Sequence, residues 1–177
     1  MTNDGTGYDP VTKGLHWTVA VLIIVLLCLG WYMVELNYYD RWYNASLEWH
    51  KALGMLALVV GAVKLGWATG RRVPAPPASM AAWERLSARA MHWTLFAMMI
   101  AMPVSGYIIS TSAGQGIAIF GWFEVPAVLP ESEKLRDLAI EIHYYLAYIM
   151  AAVVLLHTVA ALKHQFVDGD GTLGRML

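Results

Sequence analysis

Six histidines are the residues of this apolar chain with the clearest capacity for chemistry: His16, His50, His92, His143, His157 and His164. His143 and His157 belong to one long apolar stretch and lie 14 positions apart. On an α-helix that spacing is about 21 Å along the axis and about 40° around it, so both imidazoles face one side. Ionisable residues inside a membrane helix are costly and are therefore candidate functional residues. The pattern favours axial ligation of two haem irons at opposite depths, with partner histidines from other helices.

The composition indicates an integral membrane protein. Of 177 residues, 58% are hydrophobic and 14% are charged, and the mean hydropathy is +0.50. A soluble domain of this length could not bury so much apolar surface. The formal net charge of -1 gives no reason to expect a nucleic-acid partner. The single cysteine, Cys28, excludes an intrachain disulfide and a cysteine-cluster metal site.

Four apolar segments are long enough to cross the membrane as helices and would have to position the histidines. They cover residues 15–36, 47–68, 91–110 and 138–162, and together they predict an all-α membrane protein, a four-transmembrane-helix bundle. We expect residues 1–177 to form one domain. The first 14 residues carry two aspartates and no basic cluster, so we expect no cleaved signal peptide.

Charges in the connections predict the orientation of the bundle. Basic residues dominate between the second and third segments, where Glu84 alone opposes Lys64, Arg71, Arg72, Arg85 and Arg89. Acidic residues dominate between the third and fourth segments: Glu124, Glu131, Glu133, Asp137 and Glu141, against Lys134 and Arg136. The positive-inside rule then places the second connection, and with it both termini, in the cytoplasm.

This orientation sorts the histidines into two depth layers. A lone histidine at a helix end is more often an interfacial or capping residue than a ligand, but six in four spans favour ligation. Only His50 and His143 fall at the periplasmic ends, so a haem on that side would have to use both.

Four histidines compete for two places on the cytoplasmic side: His16, His92, His157 and His164. His157 is favoured because it shares a helix face with His143. Depth does not choose between His16 and His92 as its partner. His164 lies one heptad beyond His157, about 10 Å nearer the cytoplasm, and is interpreted as an interfacial residue not bound to iron.

Other residues near the histidines are compatible with a macrocycle. Gly54 follows His50 by one helical turn and would let a flat group approach the helix, although ordinary helix packing explains it equally well. The cations that could pair with propionates, or lie at the membrane interface, are Lys13, Arg41, Lys51 and Arg89. The aromatic segment 116–130 would either cover a haem or quinone, or lie on lipid as an interfacial loop.

The ordered set of motifs resembles the bacterial cytochrome b561 family of four-helix membrane cytochromes. The resemblance covers nearly the whole chain. It rests on His16-Trp17 in the first span, on His50 opening the second, and on His92 with Ala101, Pro103, Val104 and Gly106 downstream in the third. It also includes the fourth-span pair His143 and His157, and the closing stretch 172–176.

The resemblance implies two b haems, with His50 paired to His143 and His16 paired to His157. His92 and His164 would lie near the cytoplasmic haem without ligating it. It further implies a multi-pass protein of the bacterial inner membrane that exchanges electrons with ubiquinone. Oxidation of superoxide is one activity known in the family. Some relatives carry a lysine in the C-terminal tail where this chain has Asp168-Gly169-Asp170-Gly171, which puts any role of that lysine in doubt here.

Three functions stay open on the sequence. The first is a free-standing dihaem oxidoreductase in the lipid bilayer, linked to quinone and with superoxide as a candidate donor, as a monomer or a homodimer. The second is a cytochrome b membrane-anchor subunit of a larger respiratory complex such as a hydrogenase. The third is a four-span protein without haem, whose histidines handle protons or metal ions.

Overall fold

The computed structural model describes residues 7–71 and 74–177, which contain four long helices and a small hairpin. The helices are α1 (Pro10–Val34), α2 (Tyr43–Thr69), α3 (Ala82–Ser112) and α4 (Glu133–Phe166). All four are long and apolar enough to cross a membrane. Along the chain each helix packs on the next, with α1 on α2, α2 on α3 and α3 on α4. The predicted all-α four-helix bundle is confirmed.

Each helix begins before its predicted apolar segment, and in α1 and α4 a polar side chain at the start accepts hydrogen bonds from free backbone N–H groups. Asp9 Oδ1 accepts hydrogen bonds from the N–H groups of Val11 and Thr12, both at 3.1 Å, and Pro10 occupies the first helical position. Ser132 Oγ accepts from the Leu135 N–H at 3.3 Å and caps α4. Helix α4 therefore extends beyond the span predicted at 138–162, whereas α1 begins before the span predicted at 15–36 and ends at Val34, within it.

Close helix packing uses small residues, as is usual between membrane helices. A Cβ on Gly61 of α2 would lie 2.9 Å from Met99 Cγ of α3, so only glycine permits this approach. The buried apolar side chains of the described residues are few, and Ala52 and Ala57 of α2 are among them. The histidine side chains lie between helices, where rings from different helices come close to one another.

One end of the bundle gathers the start of α1, the C-terminal segment and residues 74–81, and we call it the tail end. The Tyr8 N–H donates to the Arg175 carbonyl at 3.2 Å, and Trp17 Nε1 donates to the Met176 carbonyl at 3.0 Å. Arg175 Nη1 donates to the carbonyl of Ala75 at 2.7 Å. The short 3-10 helix Leu173–Arg175 is thus held against the start of α1 and the second connection.

The opposite end carries an unpredicted β-hairpin, and we call it the hairpin end. Strands β1 (Ile117–Ile119) and β2 (Phe123–Val125) are antiparallel, and their turn places Phe120 and Gly121 at positive φ. The Phe120 ring lies 5.4 Å from the ring of Trp49, the residue before His50. Part of the predicted covering segment 116–130 therefore rests on the start of α2.

Two features of the sequence analysis lie outside the described residues. They are the first six residues, on which the expectation of an uncleaved N-terminus partly depends, and Arg72, one of the basic residues of the second connection. Lys64, counted with that connection, lies within α2.

Candidate functional site

The hairpin end brings together the two histidines that the sequence assigned to it. The ring centroids of His50 (α2) and His143 (α4) are 6.2 Å apart, with an interplanar angle of 78°. His50 and His143 come from helices that are not consecutive along the chain. The two imidazoles meet inside the bundle, as predicted from their depth.

A glycine of a neighbouring helix lies against each of these imidazoles. A Cβ on Gly30 of α1 would lie 3.2 Å from His50 Cε1, and a Cβ on Gly106 of α3 would lie 3.3 Å from His143 Cε1. Both distances are tighter than ordinary van der Waals contact. Sequence reasoning noted Gly106 only as part of a motif and missed Gly30, because contacts between helices are not visible in a helical pattern.

The tail end brings three histidines together. His157 of α4 has its ring centroid 6.3 Å from that of His16 (α1) and 5.7 Å from that of His92 (α3). The corresponding interplanar angles are 60° and 67°. His157 is common to both contacts, and proximity alone does not choose its partner, just as depth did not.

His164 lies in a polar cluster at the end of α4. Its Nδ1 is 2.9 Å from carboxylate oxygens of both Asp168 and Asp170. Lys163 Nζ lies 2.8 Å from carboxylate oxygens of Glu84 and Asp168, so it ties the start of α3 to the end of α4. Ligand atoms of Glu84, His164 and Asp168 are close enough to share a metal ion, but Lys163 already forms an ion pair with each of the two carboxylates. The arrangement is explained by ion pairing.

Two features fit a haem at these sites: the separation of the paired imidazoles and the open space beside Gly54. An imidazole nitrogen binds a transition metal at about 2 Å, so two imidazoles on one ion have ring centroids about 6 Å apart. The pairs His50–His143 and His16–His157, at 6.2 and 6.3 Å, meet this requirement. In addition, a Cβ on Gly54 would meet nothing within 4 Å, so helix packing does not explain this glycine. A flat group could approach α2 there.

The cations considered as propionate partners lie in different surroundings. Lys51 Nζ is 3.5 Å from Gln115 Oε1, beside the hairpin, and the Arg41 guanidinium lies over the Trp42 ring at 5.3 Å from its centroid. Lys64, which the sequence analysis did not consider as a propionate partner, lies over the Phe96 ring, with Nζ 5.3 Å from the ring centroid. Among residues 7–71 and 74–177, none of these three forms a salt bridge. Lys51 next to His50 is therefore the cation best placed at the hairpin end.

Comparison with known proteins supports the same interpretation over the full length. Residues 7–177 match the family model described as prokaryotic cytochrome b561. The chain is 38% identical to "Cytochrome b561 homolog 2" of Escherichia coli (strain K12), covering 100% of this chain and 94% of that protein. It is 29% identical to "Probable superoxide oxidase CybB" of Yersinia pestis, covering 96% and 95% of the two chains. It is 28% identical to "Cytochrome b561 homolog 1" of Escherichia coli (strain K12), covering 92% of each. The chain belongs to the prokaryotic cytochrome b561 family.

Proposed function

We propose that this protein is a dihaem electron carrier that passes electrons across the bacterial inner membrane and exchanges them with ubiquinone. Membership of the family implies b-type haem. The number of haems, their ligands and the quinone are our proposal. The observation that carries it is that α4 presents His143 and His157, about 21 Å apart along its axis, each within about 6 Å of a histidine from another helix.

The proposed ligands are His50 with His143 at the hairpin end, and His16 with His157 at the tail end. Each haem, when bound, would supply a one-electron iron couple whose potential depends on its axial ligands and surroundings. The chain would hold and orient the imidazoles from three helices and keep water away from them. The 6.3 Å separation of the His16 and His157 ring centroids matches that of the hairpin-end pair, but the 5.7 Å separation of His92 and His157 also suits one iron, so the choice of His16 follows the family resemblance.

The charge asymmetry supports an orientation with the tail end in the cytoplasm. The hairpin end would then face the periplasm and carry the haem nearest an external electron donor. The name of the Yersinia pestis relative suggests superoxide as that donor. Lys51, beside His50, would attract a small anion to this end.

A visible spectrum of the purified protein tests the haem assignment. We expect a reduced-minus-oxidised spectrum of b-type haem, with two haems per chain by pyridine haemochrome. His143→Ala and His157→Ala should each retain one haem, because each removes a ligand from a different site. His164→Ala is the matched control and should retain two. A single haem in the wild type, or two haems in His143→Ala, would contradict the assignment.

Stopped-flow reduction tests the donor and acceptor. The oxidised protein would be mixed with superoxide, and the reduced protein with a soluble ubiquinone analogue. We expect rapid haem reduction in the first case and rapid oxidation in the second. Lys51→Gln should slow the reaction with superoxide and leave the reaction with quinone unchanged. Oxidation by the quinone analogue without reduction by superoxide would reject superoxide as the donor and keep the quinone.

A further inference from the structure

The two imidazoles at the hairpin end differ in what their Nδ1 atoms contact. His143 Nδ1 lies 2.8 Å from Ser105 Oγ of α3, and Ser105 is only 6% exposed. His50 Nδ1 is buried and has no hydrogen-bond partner among the described residues. One of the two proposed ligands is therefore anchored through its second ring nitrogen, and the other is not.

The Met102 carbonyl favours one direction for the hydrogen bond between Ser105 and His143. Ser105 Oγ lies 2.7 Å from the Met102 carbonyl, which can only accept, so the single hydroxyl proton is donated there. Towards His143 the same oxygen must then be the acceptor, and Nδ1 must carry the proton. A neutral imidazole with Nδ1–H has its lone pair on Nε2, the nitrogen then available for a metal.

We propose that Ser105 is a positioning residue for His143. It would hold the Nδ1–H tautomer, present Nε2 to the iron at the hairpin end, and make the imidazole a stronger electron donor. This inference rests on the proposed haem between His50 and His143. Since a stronger donor stabilises the oxidised iron, Ser105 lowers the potential of this haem relative to a site without the hydrogen bond.

The backbone of α3 brings the hydroxyl to the ring. Gly106, the next residue, lets the His143 ring approach closely, because a Cβ added to Gly106 would lie only 3.3 Å from His143 Cε1. Ser105 and Gly106 thus contact two adjacent atoms of one imidazole. A purely structural role for Ser105 would need only its bond to the Met102 carbonyl, a common bond of helical serines. The experiment must separate this role from the contact with the ring.

Ser105→Ala removes the acceptor, and Ser105→Thr keeps a hydroxyl. In a redox titration that resolves the two haems, we expect Ser105→Ala to raise the midpoint of the hairpin-end haem and leave the tail-end haem unchanged. At a fixed ambient potential the reduced fraction of the hairpin-end haem should rise several-fold. Ser105→Thr should restore the wild-type value. Ser110→Ala is the matched control, because Ser110 is buried in the same helix and its hydroxyl has no partner among the described residues.

An unchanged midpoint in Ser105→Ala with both haems retained would overturn the inference, and so would an equal shift in Ser105→Thr. The contact itself can be read by ¹⁵N-histidine NMR in a bilayer, where we expect the Nδ1–H of His143 to show a hydrogen-bonded shift in the wild type and to lose it in Ser105→Ala. If the wild type bound no haem at the hairpin end, the proposed function would fail, whereas the NMR result would still decide what Ser105 does to the ring.

Discussion

At the scale of single residues, His157 is the position on which the tail-end site depends. It lies close to both His16 and His92, and the proposed ligand set uses only His16. His16→Ala and His157→Ala should therefore lose the tail-end haem, whereas His92→Ala should keep it. Haem stoichiometry of the three purified variants measures this. Loss of one haem in His92→Ala with retention in His16→Ala would reverse the assignment.

Gly30 offers a second prediction at this scale. Alanine is usually favoured over glycine in a helix by about 1 kcal/mol, but here its Cβ would lie 3.2 Å from His50 Cε1. We expect Gly30→Ala to displace the His50 ring and to weaken haem retention at the hairpin end by about tenfold. The rate of haem transfer to apomyoglobin measures this loss.

Gly14→Ala is the matched control for Gly30→Ala. It lies in the same helix, and a Cβ there would meet nothing within 4 Å. Equal haem loss from both variants would indicate a general effect of alanine in α1 and would remove the role given to Gly30.

At the scale of elements, the C-terminal segment is held by a buried carboxylate. Asp170 accepts from Thr172 Oγ1 at 2.6 Å and from the Thr172 N–H at 2.9 Å, and it contacts His164 Nδ1 at 2.9 Å. Burial alone would raise the pKa of Asp170, but these hydrogen bonds outweigh it and hold the pKa below its usual 3.8. The carboxylate form therefore stabilises the docked segment.

The sign of the pH dependence follows from this lowered pKa. The stabilisation is present above the ordinary pKa and is lost as the pH falls through the lower folded value. We expect the Thr172 and Tyr8 amides to stay protected from hydrogen exchange down to about pH 4 and to lose protection below it. Asp170→Asn should reduce their protection by about tenfold at neutral pH and remove the pH dependence. Unchanged protection in Asp170→Asn would show that other contacts hold the segment.

The elements also show which parts of the structure a sequence can reveal. The four helices were predictable because each needs a long apolar run, and two histidines on one face of α4 predicted two depth layers. The capped starts at Asp9 and Ser132 extend the helices into polar sequence, where hydropathy gives no signal. Strands of three residues, such as β1, are too short for an alternating pattern. The contact between Ser105 and His143 joins different helices, and no local pattern predicts it.

At the scale of the whole molecule, the two histidine layers lie at opposite ends of one bundle. Helix α4 contributes a histidine to each layer, so one rigid element sets the distance between the sites. The tail end gathers the start of α1 and the C-terminal segment, and the hairpin end carries the β-hairpin against α2. Under the proposed function, a path for electrons from one side of the membrane to the other would need both layers, and neither site alone would suffice.

Vesicles separate this requirement from simple haem binding. Protein reconstituted into liposomes that enclose ferricyanide would be treated with external dithionite, which does not cross the bilayer. We expect the wild type to reduce the enclosed ferricyanide. In His157→Ala, the remaining haem should still be reduced in molecules whose hairpin end faces outward. The enclosed ferricyanide, however, should be reduced no faster than in empty vesicles, because the tail-end haem that would pass the electrons on is missing. His164→Ala should transfer like the wild type. Wild-type transfer in His157→Ala would mean that electrons cross without the tail-end haem, and the two-layer path would then be wrong even if both haems were present.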